Sequence, residues 1–331
     1  MNKLFLSILR CPVSKEELFL DVTKEKENGC VEEGVLYTHG KKYTYPIIRG
    51  IPRFVKSDSY TKSFSKEWAK WANVQYENEN VNSPMHNHTK SMFEKITLLD
   101  DDAFKGKLTV EFGCGGGRFI DVVRKKGGIS IGIDLSTAVE QAGHNFKDDE
   151  NVLIVQGDIL NAPFKDGSFD IGYTMGVLHH TPEPYKGFVE LARILKKQAV
   201  LICCVYPKNS YYDFRSVDRV RKSINKTEFL FGNKLALLYA HFSARILYPL
   251  LPRISKISEK SKKMVRYVEE NFLPVLYIPD VKWRVLDVYD SITPKYASTH
   301  SKAEITSWFT KQGFTNIQKT NWGDSAFKGI K

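Results

Sequence analysis

The sequence predicts an α/β protein built on a doubly wound sheet, with a small N-terminal module ahead of it and a helical insertion within it. Three observations predict this. From Leu108 onward, apolar runs of strand length alternate with periodic runs of helix length, the order that a parallel sheet requires. An acidic residue followed by glycines at alternate positions, Glu111-Phe112-Gly113-Cys114-Gly115-Gly116-Gly117, lies between a β-prone run and a helical one. A second acidic residue, Asp134, closes the next apolar run 19 residues after Gly115.

Glycine takes positive φ, and its missing Cβ lets a backbone approach a ligand closely. The spacing here is E-x-G-x-G-x-G, so the third glycine comes one position too early for the dinucleotide fingerprint G-x-G-x-x-G. Asp134, at the tip of the second strand of a doubly wound sheet, is placed to accept hydrogen bonds from ribose hydroxyls. A third strand, Val152 to Val155, is followed by Gly157-Asp158. In this order the three features resemble the class I S-adenosylmethionine-dependent methyltransferases, which have a Rossmann-like, seven-stranded sheet. The resemblance implies S-adenosyl-L-methionine as cofactor. It also implies that Glu111, Gly113, Gly115 and Gly117 border the methionine part, that Asp134 holds the ribose, and that Asp158 contacts the adenine amino group.

Along the chain, residues 1–57 form a small unit. Ile8-Leu9-Arg10-Cys11-Pro12 and Tyr45-Pro46-Ile47-Ile48-Arg49-Gly50-Ile51-Pro52 resemble a zinc-ribbon-like module often found ahead of methyltransferase domains. In such modules two cysteine pairs bind zinc, because thiolate coordination stabilises a fold too small for its own core. Here Ser14 stands where the first pair needs its second cysteine, and 37–43 holds no cysteine. The expectation is a degenerate module that keeps the fold and has lost the metal.

Residues 58–107 read as a helical approach segment. Phe64, Trp68, Trp71 and Tyr76 fall close to one helical face, which either packs on the core or covers the cofactor site. His86 and His88 in the following loop lack the further ligands that a metal would need. The cofactor-binding core spans 108–208. Ala162-Pro163-Phe164 and Asp166-Gly167-Ser168-Phe169-Asp170 lead into the fourth strand, which ends in Gly176-Val177-Leu178-His179-His180. Ligands sit outside the carboxyl ends of strands in such sheets. The Leu-His-His run resembles the ubiquinone- and menaquinone-biosynthesis group, which acts mostly on small molecules, lipids or glycans. The N/D-P-P-Y/F segment typical of base N-methylation is replaced by Thr174-Met175-Gly176-Val177.

Residues 209–289 are the helical insertion, expected to form a lid or substrate element. Residues 290–331 supply a last helix, opened by the capping box Ser301-x-x-Glu304, and an edge hairpin. Asp290, Tyr296 and His300 either reach the substrate pocket or serve capping and loop packing.

The 331 residues are 42% hydrophobic and 12% aromatic, a folded composition. The formal charge is +11, and Lys208 to His300 holds 17 Lys and Arg against nine Asp and Glu, an excess of eight. Such a patch suits RNA, an anionic membrane or a phosphorylated substrate, or is simply a solvated face. Peripheral membrane contact is one reading of the insertion; a packed lid or dimer surface ranks above it. No signal pattern is visible and no apolar run reaches the ~18 residues of a membrane span. The five unpatterned cysteines read as reduced thiols, so a cytoplasmic location is expected. The oligomeric state is open.

Methyl transfer from a sulfonium is an in-line displacement that needs alignment of acceptor and methyl. A hydroxyl acceptor must also lose a proton, and histidine suits that task. His179 or His180 is the expected base, with His300 in reserve and at least one of the adjacent pair structural. The leading reading is a methyltransferase acting on a small molecule, lipid or glycan at a hydroxyl. An RNA methyltransferase and a non-catalytic cofactor-binding protein are the alternatives.

Overall fold

The computed structural model describes residues 1–55, 71, 73–231 and 233–331. The first unit is an antiparallel sheet of β1 (Phe19–Glu25), β2 (Val31–Tyr37), β3 (Thr44–Ile48) and β4 (Ile51–Pro52), paired in that order. On β3 the buried Tyr45 and Ile47 alternate with exposed Thr44, Pro46 and Ile48, the period-two pattern of a half-buried strand. Cys11 lies in this small core, with its Sγ 3.2 Å from the Tyr45 hydroxyl and accepting from the Ser14 amide at 3.4 Å.

The central sheet has seven strands: β5 (Leu108–Phe112), β6 (Ile129–Asp134), β7 (Val152–Gln156), β8 (Phe169–Met175), β9 (Leu195–Cys204), β10 (Thr315–Lys319) and β11 (Ala326–Ile330). Their order is β10-β11-β9-β8-β5-β6-β7. β5 to β9 run parallel, whereas β11 is antiparallel to β9 and β10 to β11. The doubly wound sheet, the small module and the helical insertion are those that the sequence predicts. The order reverses between β5 and β8, which opens a crevice at their carboxyl ends.

The small unit caps the β7 edge, which would otherwise present unpaired backbone groups. The Phe54 amide donates to the Gln156 carbonyl at 2.8 Å, and the Arg10 amide to the Pro163 carbonyl at 2.9 Å. Arg49 and Arg53 both pair with Glu140, at 2.8 and 2.6 Å. Buried Phe5, Leu9 and Phe54 join the apolar cluster that contains Val155, Phe164 and Phe169 of the core.

Helices cover the sheet and build the insertion. In chain order they are α1 (His88–Thr97), α2 (Arg118–Lys125), α3 (Val139–Asn145), α4 (Pro184–Ile194), α5 (Arg215–Phe231), α6 (Lys234–Phe242), α7 (Tyr248–Ser255), α8 (Glu259–Asn271), α9 (Val281–Ile292) and α10 (Lys302–Lys311). A π-turn, Ser243–Leu247, joins α6 to α7 without a break, so Lys234 to Ser255 is one rod. α9 is capped by Asp280, whose Oδ1 accepts from the Lys282 and Trp283 amides, and it runs through the expected boundary at 289/290. Ser301 caps α10 by accepting from the Glu304 amide at 3.2 Å.

Of the aromatic series in the approach segment, Phe64 and Trp68 lie outside the described residues. Trp71 meets the Tyr289 ring edge-on at 5.2 Å, and Tyr76 sits in a turn, where its hydroxyl donates to the Gly116 carbonyl. Among the described residues, no helix is long and apolar enough to cross a membrane.

Candidate active site

At the carboxyl ends of β5, β6, β8 and β9 lies a cavity of about 430 Å³, within the usual range for small-molecule sites. Its first wall is the turn after β5. Gly113 has φ +75°, and a β-carbon there would collide with the Val177 side chain, so only glycine fits. The Gly113 and Cys114 amides donate to the Ile133 carbonyl at 2.8 and 3.1 Å, tying the turn to the end of β6. Asp134 completes the tie. Its Oδ2 accepts from the Gly115 amide at 2.9 Å, and its Oδ1 accepts from the Ser136 amide and hydroxyl at 2.8 and 2.6 Å. A carboxylate accepts about four hydrogen bonds, so capacity remains for a ligand. Burial pushes Asp134 above the ordinary carboxylate range, against the pull of these donors.

Glu111, Gly113, Gly115 and Asp134 all line the cavity. Gly117 stands behind the turn, where a β-carbon would meet Phe146 and the Tyr76 hydroxyl. Asp158 does not line the cavity; its Oδ1 accepts from the Leu160 amide at 2.9 Å, and the adjacent Ile159 reaches the wall instead. Glu111 is almost wholly buried, and burial raises its pKa well above the usual range, with Arg118 opposing the rise.

The two adjacent histidines sit on a single 3₁₀ turn, Leu178–His180, and have different fates. His179 is fully buried outside the cavity. Its Nδ1 accepts from the Tyr206 amide at 3.2 Å, and its ring stacks on Tyr206 at 3.6 Å between centroids. Its lone pair is therefore spent on the backbone. His180 lines the cavity. Its Nδ1 lies 3.0 Å from the Tyr296 carbonyl, which can only accept, so Nδ1 carries the proton and Nε2 is the basic nitrogen. Burial lowers the His180 pKa, with Asp290 opposing, so the ring is neutral near pH 7. His300 is also outside the cavity. Its ring bridges Ser298 at 2.8 Å and Glu304 at 2.9 Å, and its backbone pairs with Tyr206 and Lys208.

Residues 110–203 match the family described as "Methyltransferase domain". This chain carries a methyltransferase domain. Residues 2–50 match the family described as "Trm112p-like protein", which accounts for the small unit. A demethylmenaquinone methyltransferase of Corynebacterium kroppenstedtii is 29% identical over 116 residues, 35% of this chain and 49% of that one. A ubiquinone biosynthesis O-methyltransferase of Coxiella burnetii is 29% identical over 122 residues, 36% of this chain and 50% of that one. The chain spans between a third and a half of the length of the curated relatives it first matches. Among solved structures, magnesium protoporphyrin IX methyltransferase of Synechocystis, with bound S-adenosylhomocysteine, has a TM-score of 0.44 at 14% identity, covering 83% of this chain and 97% of that one.

S-adenosylmethionine is the cofactor that such a domain implies, and the part of the cavity beside the glycine turn has the features it would need. A β-carbon at Gly176, φ +77°, would project into open cavity space, as a backbone cradle requires. Arg118 and Asp134 both line this part of the cavity.

The insertion contributes a further part of the cavity wall, most of which sequence reasoning missed. Trp283, Asp287 and Asp290 line the cavity from α9, along with Tyr206, Tyr212 and Trp322 from elsewhere. Their 4-and-3 spacing puts the three α9 residues on one helical face, a signal that was present in the sequence. Asp290 accepts from the Tyr206 hydroxyl at 2.9 Å. His88 lines the cavity from the start of α1; Tyr296 does not line it, and its carbonyl accepts from His180.

Burial, with the nearby Asp290, pushes Asp287 up to about 7 against the pull of Arg118. Its unfolded value is ~3.9. Between these values the folded chain binds the extra proton, so this contribution to stability is present at low pH and lost as pH rises through 7. Asp287→Asn is expected to raise the thermal midpoint by several degrees at pH 8, about 1–3 kcal/mol, and to change it little at pH 4. Equal shifts at both values in thermal melts would refute the assignment.

Proposed function

We propose that this protein is an S-adenosylmethionine-dependent methyltransferase that alkylates a hydroxyl of a small-molecule, lipid or glycan acceptor, with His180 as the base. The observation that carries the reading is the Nδ1–H of His180 bonded to the Tyr296 carbonyl, on a ring that lines the same cavity as the glycine turn. That bond fixes the tautomer and leaves Nε2 as the proton acceptor. When bound, the donor supplies a methyl on a positively charged sulfur that needs no acid to leave.

The residues of this chain perform the rest. The turn containing Glu111, Gly113 and Gly115, backed by Gly117, fixes the methionine end beside Arg118. Asp134 holds the ribose, and Ile159, next to Asp158, walls the adenine end. Trp283, Tyr206 and Tyr212 exclude water and orient an apolar part of the acceptor, which makes the transfer a matter of proximity. His180 then accepts the hydroxyl proton as the new bond forms. His179 and His300 are positioning residues: one fixes Tyr206, the other clamps 298–304.

The RNA alternative has less support, because carboxylates and aromatic rings dominate the cavity wall, with Arg118 as its one Lys or Arg among the described residues. Incubation with tritiated-methyl donor and fractionated extracts tests the proposal. Label is expected in a lipid, glycan or small-molecule fraction and in a base-stable ether. Label confined to RNA, or none with the donor bound, would overturn it.

A further inference from the structure

The rod of α6, the π-turn and α7 has two faces of different character. Ala236, Ala240 and Ala244 are buried against α9, in one cluster with Val285, Val288 and Tyr289. Leu247 and Leu251 are buried as well, in a second cluster with Val265 and Val275, and Leu237 and Tyr239 pack partly against the first. On the other side Leu235, Leu238, Phe242, Ile246 and Leu250 follow one another at 3, 4, 4 and 4 residues and are each between 37% and 68% exposed. Nothing in the chain covers this stripe among the described residues. An exposed run of large apolar side chains on one helical face marks a surface that meets something else.

Charge says what that is. From Phe229 to Ser258 there is no Asp or Glu, whereas Lys234, Arg245, Arg253 and Lys256 are all present and exposed. None of the four is ion-paired with an acid among the described residues. Two copies of this face would bring like charges together, so self-association is disfavoured. A bilayer with anionic headgroups matches both components: apolar side chains enter the acyl boundary while long cationic ones reach the phosphates. The rod is about 33 Å long at 1.5 Å per residue. It is interrupted by charges and by Pro249 and Pro252, so it lies along the interface and does not cross it.

We propose that the outer face of Lys234 to Ser255 is an interfacial helix that seats the protein on anionic membrane. The inner face packs on α9, whose opposite side carries Trp283, Asp287 and Asp290 into the cavity. The lipid surface would then lie two helix layers, the rod and α9, from the cavity. The inference is independent of methyl transfer and stands whatever the acceptor proves to be.

Sedimentation of the full chain with extruded vesicles tests it. Co-sedimentation is expected with phosphatidylcholine doped with phosphatidylglycerol and not with phosphatidylcholine alone, and it should weaken as salt shortens the screening length. The double substitution Leu238→Glu with Phe242→Glu should reduce partitioning by about tenfold or more. Arg245→Gln and Arg253→Gln should each reduce it by about fivefold. All four positions are exposed, so unchanged thermal melting and donor binding confirm that the variants fold. Wild-type protein that stays in the supernatant with anionic vesicles would overturn the proposal. So would a dimer in light scattering that Leu238→Glu with Phe242→Glu dissolves, because a second copy would then be the occupant.

Discussion

His180→Gln is expected to lower kcat by about 10²- to 10⁴-fold, the usual contribution of a general base, with affinity for S-adenosylmethionine essentially unchanged. Glutamine fills a similar space and can still donate to the Tyr296 carbonyl, but it has no nitrogen lone pair to receive the acceptor proton. The pH profile separates this role from a packing role. Burial holds His180 below its ordinary value of ~6.5, so the acid limb of kcat/KM should fall below that pH in the wild type. In the variant that limb should disappear. His179→Ala should behave differently. It leaves the buried Tyr206 amide without its acceptor and opens a void beside a stacked ring, at a cost of about 2–4 kcal/mol in stability. Wild-type turnover in His180→Gln at saturating donor would mean that the proton leaves by another route.

Asp134→Ala should raise the dissociation constant for the donor by about 100-fold or more. The carboxylate has two tasks at once, holding the Gly115 and Ser136 amides in place and offering a ligand its remaining acceptor capacity. Hydrogen bonds to a charged group contribute about 1.5–3 kcal/mol each, and about 2.7 kcal/mol corresponds to a hundredfold in binding. The loss should appear in calorimetric donor binding and in KM for the donor, with kcat at saturation much less affected. Donor binding as tight as in the wild type, in a variant that melts normally, would remove Asp134 from the ribose-binding role.

The donor half of the site was legible because its parts are consecutive in sequence: strand, glycine turn, helix, strand, acid. Local backbone requirements impose that order, and no distant contact is needed to read it. Asp158 shows the limit of such reading. Its position after the third strand is as expected; its Oδ1 accepts from the Leu160 amide, and the adjacent Ile159 is the residue that lines the cavity. The adjacent His179 and His180 were equivalent as letters. What distinguishes them is a pair of backbone partners, the Tyr206 amide and the Tyr296 carbonyl, that are 27 and 116 residues away in sequence. The acceptor half depends on α9 returning to the cavity more than 100 residues after His180, which no local pattern specifies. The insertion's two faces were visible as a basic, apolar stretch. Only packing against α9 tells which apolar residues are left outside.

One side chain ties the small N-terminal sheet to the cavity wall. Gln156 accepts from Arg53 at 3.0 Å through Oε1, and through Nε2 it donates to the Leu135 carbonyl at 3.2 Å, one residue from Asp134. It thus belongs to two units at once: its amide is a rivet between the module and the segment that carries Asp134. Hydrogen bonds therefore cross between the N-terminal sheet and the central one. A chain cut near residue 57 would lose the buttress of its own donor site.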